Sequence, residues 1–214
     1  TLTDSSAASD VYKRQHRYSA ASLGLLAIAL VFIAFKEGKM KSESLALLLI
    51  IIGQGIFGYL TVSLKLHPLI VTSHLFGAMI VTSLFLVIFM KSLRVTNSYL
   101  ILVRNRPYII IGFALIIFQI FLGAWTSTNY AARACLDLPY CQGQLIPNTN
   151  FEEGFNLFQS IGPNYLYGQM SNEARVAIHL THRIGAIIVF FYSIFLAIKL
   201  WSNETKPIVL SFLS

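Results

Sequence analysis

Residues 176–198, VAIHLTHRIGAIIVFFYSIFLAI, decide the fold class, because this largely apolar run is as long as a bilayer is thick. As an α-helix its 23 residues extend about 35 Å, against a bilayer core of about 30 Å. Its apolar residues are continuous and do not alternate, which excludes a porin strand. Comparable runs occupy 18–35, 44–64, 68–90 and 107–126. The sequence therefore predicts an all-α, polytopic transmembrane helical bundle with five spans.

The composition excludes the main soluble classes. The 214 residues are 56% hydrophobic and only 12% charged, with a mean hydropathy of +0.67. A soluble domain carries about a quarter charged residues, so these charges are too few to solvate a globule. A soluble enzyme, a nucleic-acid binder and a disordered chain are excluded. We expect the lipid bilayer as a partner and no nucleic acid, and we interpret the net charge of +7 as loop charge bias.

The loop charges orient the spans. If the helices alternate in direction, nine cations fall on one side of the membrane: Lys36, Lys39, Lys41, Lys91, Arg94, Arg104, Arg106, Lys199 and Lys206. The other side holds Lys65 and the long loop 127–175, in which acidic residues outnumber basic ones. The positive-inside rule places the nine cations in the cytoplasm. The sequence thus predicts a multi-pass protein of the bacterial inner membrane, with loop 127–175 on the periplasmic side.

The loop 127–175 contains the two cysteines of the chain. Cys135 and Cys141 are separated by five residues, one of which is Pro139. Because the predicted compartment is oxidising, we expect a disulfide between them, the alternative being two free thiols. Their spacing does not match a metal site.

Three of the five histidines fall at a similar depth in the predicted bundle. His16 lies at the outer end of the first span, and His74 and His182 each lie about seven residues inside theirs. Neutral imidazoles that face one another across a bundle are the usual axial ligands of heme iron. For His74 alone, an interhelical hydrogen bond is the alternative.

The other two histidines have simpler interpretations. His67 precedes Pro68 in a tight turn, where solvation satisfies it. His179 shares a helix face with His182 and either lines the same pocket or faces the headgroups.

Two short patterns recur along the chain. His16-Arg17 and His182-Arg183 each open an apolar run, and each Arg either pairs with a heme propionate or extends to the headgroups. Gln54, Gly58 and Thr61 recur with the same spacing as Gln119, Gly123 and Thr126. Close packing where helices cross is enough to explain the two glycines without any function. Together the two patterns suggest a duplicated helical bundle.

The two ends of the sequence differ from the series of five complete spans that lies between them. Residues 1–15 have no initiator Met, no span and no secretory segment, so we interpret them as a non-native or assembly scar. Residues 207–214 are similar to the opening of a further span.

Five segments carry a resemblance to the bacterial heme A synthase family. They are Phe118-Gln-Ile-Phe-Leu-Gly-Ala-Trp-Thr, the Cys135–Cys141 loop, Gly154-Phe-Asn-Leu-Phe-Gln, Ala177-Ile-His-Leu-Thr-His-Arg, and Leu66-His-Pro-Leu-Ile-Val-Thr-Ser-His. The resemblance covers essentially all of 16–200 and implies eight helices in two pseudosymmetric four-helix halves. It assigns 16–106 to three spans that end the first half, and 107–214 to two spans that begin the second half.

The resemblance also implies an activity and a set of ligands. His16 and His74, the predicted catalytic residues, would serve the first-half heme site. His182 would be one of two heme ligands in the second half, with its partner on the eighth helix, and heme B is the expected cofactor. The substrate would be heme O, whose ring methyl is oxidised to a formyl group to give heme A for terminal oxidases. Heme O synthase, the terminal oxidase assembly or a second copy of the protein would be partners.

This sequence departs from the family pattern at one position. The family has a Glu three residues before the first His-Arg pair, and Lys13 stands there in this sequence. We attribute the departure to the 1–15 segment and expect this chain alone to be inactive.

Two other functions use the same features. A non-catalytic bis-histidine cytochrome would use the same histidines for electron transfer but would not need so long a loop. A transporter would have helices broken at the middle of the membrane, whereas these histidines lie away from the midplane.

Overall fold

Helices make up most of the part of the chain that the computed structural model describes. It describes residues 2–93, 105–160 and 170–201, with side chains from residue 14 onward. The helices are α1 (Leu2–Glu37), α2 (Lys41–Ser63), α3 (Pro68–Ser92), α4 (Arg106–Thr128), α5 (Phe151–Gly154) and α6 (Asn172–Leu200). A short 3-10 turn, Ala131–Arg133, follows α4. Within the described segments no strand forms, so the all-α prediction is confirmed.

Five of these helices are long and apolar enough to cross a membrane. The spans are Arg14–Glu37, Lys41–Ser63, Pro68–Ser92, Arg106–Thr128 and Asn172–Leu200. Each predicted span is found. The helices extend past the predicted limits by up to four residues at their more polar ends, except that α2 ends at Ser63, one residue before its predicted limit. Many large apolar side chains point outward, as lipid contact requires; Phe32 is 71% exposed and Phe191 is 63% exposed. The chain is therefore a multi-pass membrane protein.

The first helix is longer than its predicted span. α1 begins at Leu2 and continues without a break into the span, so the segment 1–15 is helical over its described part. The interpretation of that segment as non-native stays a prediction. The expected opening of a further span at 207–214 lies outside the described residues.

The chain divides into two compact units. The first consists of Thr1–Tyr59 and Gly77–Val95, and its core is built on Leu47, Val81 and Ile88. In this unit the Gln54 carboxamide lies against Gly77, where a methyl group would overlap it. The second unit consists of Leu60–Phe76 and Thr96–Ser214. The predicted division into two halves at residue 106 stays a prediction. The first turns of α3 belong to the second compact unit.

The second unit is built on the pairing of α4 with α6. Its core contains Trp125, Ala131, Met170, Ala174 and Ile178, all of them buried. Small residues let the two helices approach, as is typical of membrane bundles. A methyl group on Gly112 would lie 3.1 Å from the ring of Tyr192, so the spacing there depends on glycine.

Capping side chains fix where the loop ends and α6 begins. Ser171 precedes α6, and its Oγ accepts a hydrogen bond from the Ala174 amide at 3.2 Å. Such a cap satisfies one of the amides that a helix start leaves unpaired. Glu153, at the end of α5, accepts from the Ser171 amide at 2.7 Å and from its hydroxyl at 2.6 Å. The hydroxyl and amide of Ser171 hold the pKa of Glu153 below its ordinary value. The loop is thereby fastened to the first turn of α6.

Candidate functional site

His182 is held on α6 by the side chain of Gln119 from α4. Gln119 Nε2 lies 3.0 Å from His182 Nδ1 and 3.0 Å from the His182 carbonyl oxygen. Gly123, one turn beyond Gln119, makes room for the imidazole ring, since a methyl group there would lie 3.3 Å from Cε1. A methyl group on Gly185 would overlap the Gln119 carboxamide. The half-buried ring of His182 is thus fixed by one polar side chain and two glycines.

His179, one turn earlier on α6, faces the start of the loop. Its Nδ1 lies 2.9 Å from the Ala131 carbonyl oxygen and 3.4 Å from the Cys135 amide nitrogen. The sequence left two places open for His179, the pocket and the headgroups. The structure places its Nδ1 against the loop backbone.

Arg183 binds the same loop one turn after His179. Its Nη1 donates to the Asp137 carbonyl at 2.9 Å and to the Tyr140 carbonyl at 3.0 Å, and its Nη2 donates to the Cys135 carbonyl at 2.6 Å. A guanidinium has five N–H donors, so two remain for another acceptor. The sequence offered a propionate or the headgroups as partners of Arg183. The loop carbonyls are a third set of partners that sequence reasoning missed.

The loop that Arg183 binds is closed on itself. Cys135 and Cys141 are joined by a disulfide, are both buried, and pack against Val176 of α6. The Asp137 carboxylate accepts hydrogen bonds from the Gln142 amide at 2.9 Å and the Gly143 amide at 2.8 Å. These amide donors, Gly143 foremost, hold the pKa of Asp137 below its ordinary value, and the charge of Arg183 acts in the same direction.

His67 also contacts the loop. Its Nε2 lies 2.9 Å from the Gln159 carbonyl oxygen, and the Gln159 amide group donates to Asn129 Oδ1 at 3.0 Å. Asn129 in turn donates to the Trp125 carbonyl at 3.0 Å, and Trp125 Nε1 donates to the Gly154 carbonyl at 2.8 Å. The turn position of His67 matches the sequence interpretation, but its hydrogen bond to the loop was missed. Nothing in the sequence around His67 indicates a partner 92 residues away.

The remaining predicted ligands lie in different parts of the chain. His74 is half-buried on α3 in the second unit, and His16 and Arg17 are exposed on α1 in the first. The pairing of His16 with His74 stays a prediction. Among the described residues, no three His, Cys, Asp or Glu side chains gather as a metal site does. A heme needs only one histidine on each face of its iron, and the His182 ring, with glycine beside it, fits that requirement.

Fold and site together define a class of protein. It is a multi-pass helical membrane protein in which one helix carries a histidine held by a neighbouring helix and also binds a loop closed by a disulfide. The chain belongs to the COX15-CtaA family of cytochrome oxidase assembly proteins, whose family model matches residues 12–213. The resemblance in the sequence is thereby confirmed. The match begins at residue 12, inside the segment 1–15.

One curated relative is similar over most of the chain. It is a heme A synthase from Shewanella oneidensis, 37% identical over 199 residues. The similarity covers 91% of this chain and 60% of the relative, so the chain spans about 60% of that protein's length. No solved structure matches the chain significantly.

Proposed function

We propose that the protein carrying this chain is a heme A synthase, a membrane oxidoreductase that acts on a CH group of heme O. It oxidises a ring methyl to a formyl group, and the product, heme A, supplies terminal oxidases. The observation that carries the proposal is the family match over 12–213, which includes the His182 site built by α4 and α6. The relative from Shewanella oneidensis, named as a heme A synthase, supports it.

The roles of the residues follow from this proposal. His182 would bind the iron of heme B on one face, while Gly123 leaves space for the ring and Gln119 holds it. His16 and His74 would serve the heme O site, where they would be the catalytic residues. Bound heme supplies the redox chemistry of the reaction.

The two arginines next to the ligands would take the propionates. Arg17 is exposed on α1 beside His16, and Arg183 keeps two donors after its three bonds to the loop. A carboxylate is the acceptor that a guanidinium binds most strongly.

The location and the partners complete the proposal. The charge bias of the loops supports an inner membrane location with loop 127–175 in the periplasm, where the disulfide between Cys135 and Cys141 would form. Heme O synthase, the terminal oxidase assembly, or a second copy of the protein would be its partners.

The test is the identity of the heme bound to the complete protein. Heme is extracted from the protein expressed in membranes and identified by mass. Heme A or its hydroxylated precursor supports the proposal. Heme B alone would show a bis-histidine cytochrome, and the absence of any heme would favour a transporter.

A further inference from the structure

The contact between Gln119 and His182 selects which ring nitrogen is available to a ligand. Gln119 Nε2 reaches Nδ1 and the carbonyl oxygen of the same histidine, each at 3.0 Å. Nδ1 is therefore engaged from α4, and Nε2 is the nitrogen left for a partner. A metal-binding histidine is normally oriented in this way, by a bond to its other nitrogen.

The carboxamide of Gln119 has a second, unused end. Its Oε1 is buried and has no hydrogen-bond partner among the described residues. Leaving a buried polar atom without a partner destabilises a protein, so such an atom needs an explanation. Because Gln119 Nε2 can only donate, its contact with His182 Nδ1 requires that Nδ1 accept. The His182 ring in this arrangement is therefore protonated on Nε2.

Iron binding reverses the requirement at Nδ1. When Nε2 binds iron, the proton of the neutral ring is on Nδ1, which then needs an acceptor. A half-turn of the Gln119 carboxamide presents Oε1 to Nδ1, in exchange for the bond that Nε2 donates to the His182 carbonyl. The same side chain can thus serve the ring before and after the iron binds, which neither a carboxylate nor an aliphatic side chain can do.

The same register recurs along α3. Gly185, whose hydrogen faces the Gln119 carboxamide, is three residues after His182; Gly77, which faces the Gln54 carboxamide, is three residues after His74. Each glutamine therefore rests on a glycine one helical turn from a predicted ligand. This gives a physical reason for the recurrence of Gln54 at Gln119, beyond close helix packing.

We propose that Gln119 is a positioning residue that holds His182 with Nε2 directed to the heme iron, and that Gly185 is glycine because this carboxamide occupies the space of a side chain. The inference rests on the proposed function, since it takes His182 as a heme ligand. Gln119 acts through His182, and its effect is on the ligand strength of the imidazole.

The test compares four variants of the complete protein in lipid nanodiscs: Gln119→Ala, Gln119→Glu, Gly185→Ala and Thr128→Val. The measurements are the reduction potential of the His182-dependent heme and its dissociation constant. Gln119→Glu places a stronger acceptor on Nδ1, which makes the imidazole more basic, favours ferric iron and lowers the potential. Gln119→Ala removes the acceptor, raises the potential and weakens heme binding about tenfold to a hundredfold.

Gly185→Ala displaces the carboxamide and should shift the potential in the same direction as Gln119→Ala. Combined with Gln119→Ala it should add little, because the methyl group then overlaps no carboxamide and its remaining close contact, 3.1 Å to Leu122 Cδ1, is with the end of a flexible side chain. Thr128→Val is the matched control on α4, since the Thr128 hydroxyl bonds only to carbonyls of its own helix. It should leave the potential unchanged.

Two results would overturn the inference. One is an unchanged potential in both Gln119→Glu and Gln119→Ala, and the other is an additive effect of Gly185→Ala in the Gln119→Ala protein. If Gln119→Ala does not retain heme, the sign of the shift in Gln119→Glu decides. A His182→Ala protein that keeps the wild-type heme would instead contradict the ligand assignment, and with it the proposed role of this site.

Discussion

His179 and Arg183 lie one turn apart on α6, and both bind the backbone of the loop that follows α4. His179 holds the Ala131 carbonyl at 2.9 Å, and Arg183 holds three carbonyls between Cys135 and Tyr140. His182 lies between them in the sequence and bonds instead to α4. The helix that carries the candidate heme ligand is therefore also the support of the loop.

Arg183→Ala should loosen the loop without unfolding the helices. It removes three hydrogen bonds from a charged donor, and we expect a loss of roughly 2 kcal/mol of stability. Limited proteolysis in detergent should show faster cleavage within 134–144. Arg183→Lys should recover little, because an ammonium cannot reproduce the fork of a guanidinium. Arg17→Ala, at an exposed position on α1, is the control, and equal cleavage of the two alanine variants would contradict the prediction.

The disulfide should be present in cells before any reductant is added. Cys135 and Cys141 are joined and both are buried, so a thiol reagent added to intact cells should label neither. After reduction and unfolding, both should be labelled. Ready labelling of the two residues in unreduced cells would contradict the disulfide.

Acidification should weaken the turn around Asp137. The folded pKa of Asp137 lies below its ordinary value of about 3.9, because amide N–H groups donate to the carboxylate. The stabilisation is therefore present above the ordinary value and is lost as the pH falls through the lower, folded value. Hydrogen exchange at the Gln142 and Gly143 amides should show reduced protection below about pH 4.

The variants of this turn separate the carboxylate from other effects of acid. Asp137→Asn should show weak protection of the two amides already at neutral pH, with little further change on acidification. Glu152→Gln alters an exposed carboxylate of the same loop and should follow the wild type. Unchanged protection in Asp137→Asn would show that the carboxylate does not hold the turn.

The spans were predictable because a bilayer imposes a length and an apolar composition that a sequence displays directly. The run 176–198 alone determines the position of α6, and the structure moves its limits only to Asn172 and Leu200. The residues around the site were less predictable. Arg183 and His67 bond to backbone carbonyls, which every residue has, so the sequence contains no signal of those partners.

The role of Gln119 was partly predictable from the sequence. Its recurrence at Gln54 was visible in the sequence, but the contact with His182 depends on how α4 and α6 pack. The division into units was also hidden, since α3 is one continuous apolar helix whose first turns pack with the second unit.

The last prediction contrasts His67, which lies just before α3, with His74, which lies within it. His74→Ala in the complete protein should abolish conversion of heme O, because His74 is a proposed ligand of the heme and its loss would leave the iron without one of its two histidines. His67→Ala removes a hydrogen bond to the Gln159 carbonyl and should lower stability by about 1 kcal/mol while conversion continues.

The measurement is heme O consumed per mole of folded protein, with each variant normalised for expression, because any change in a membrane bundle can lower the yield. Gln159→Ala is a second control: it keeps the carbonyl that His67 binds and removes the bonds of the Gln159 carboxamide to Asn129 Oδ1 and to the Asn156 carbonyl. It should convert heme O as His67→Ala does. Equal loss of conversion in His67→Ala and His74→Ala would mean that the pocket is misplaced. Full conversion by His74→Ala would remove the proposed catalytic role of His74, since no other histidine of α3 could replace it as a ligand.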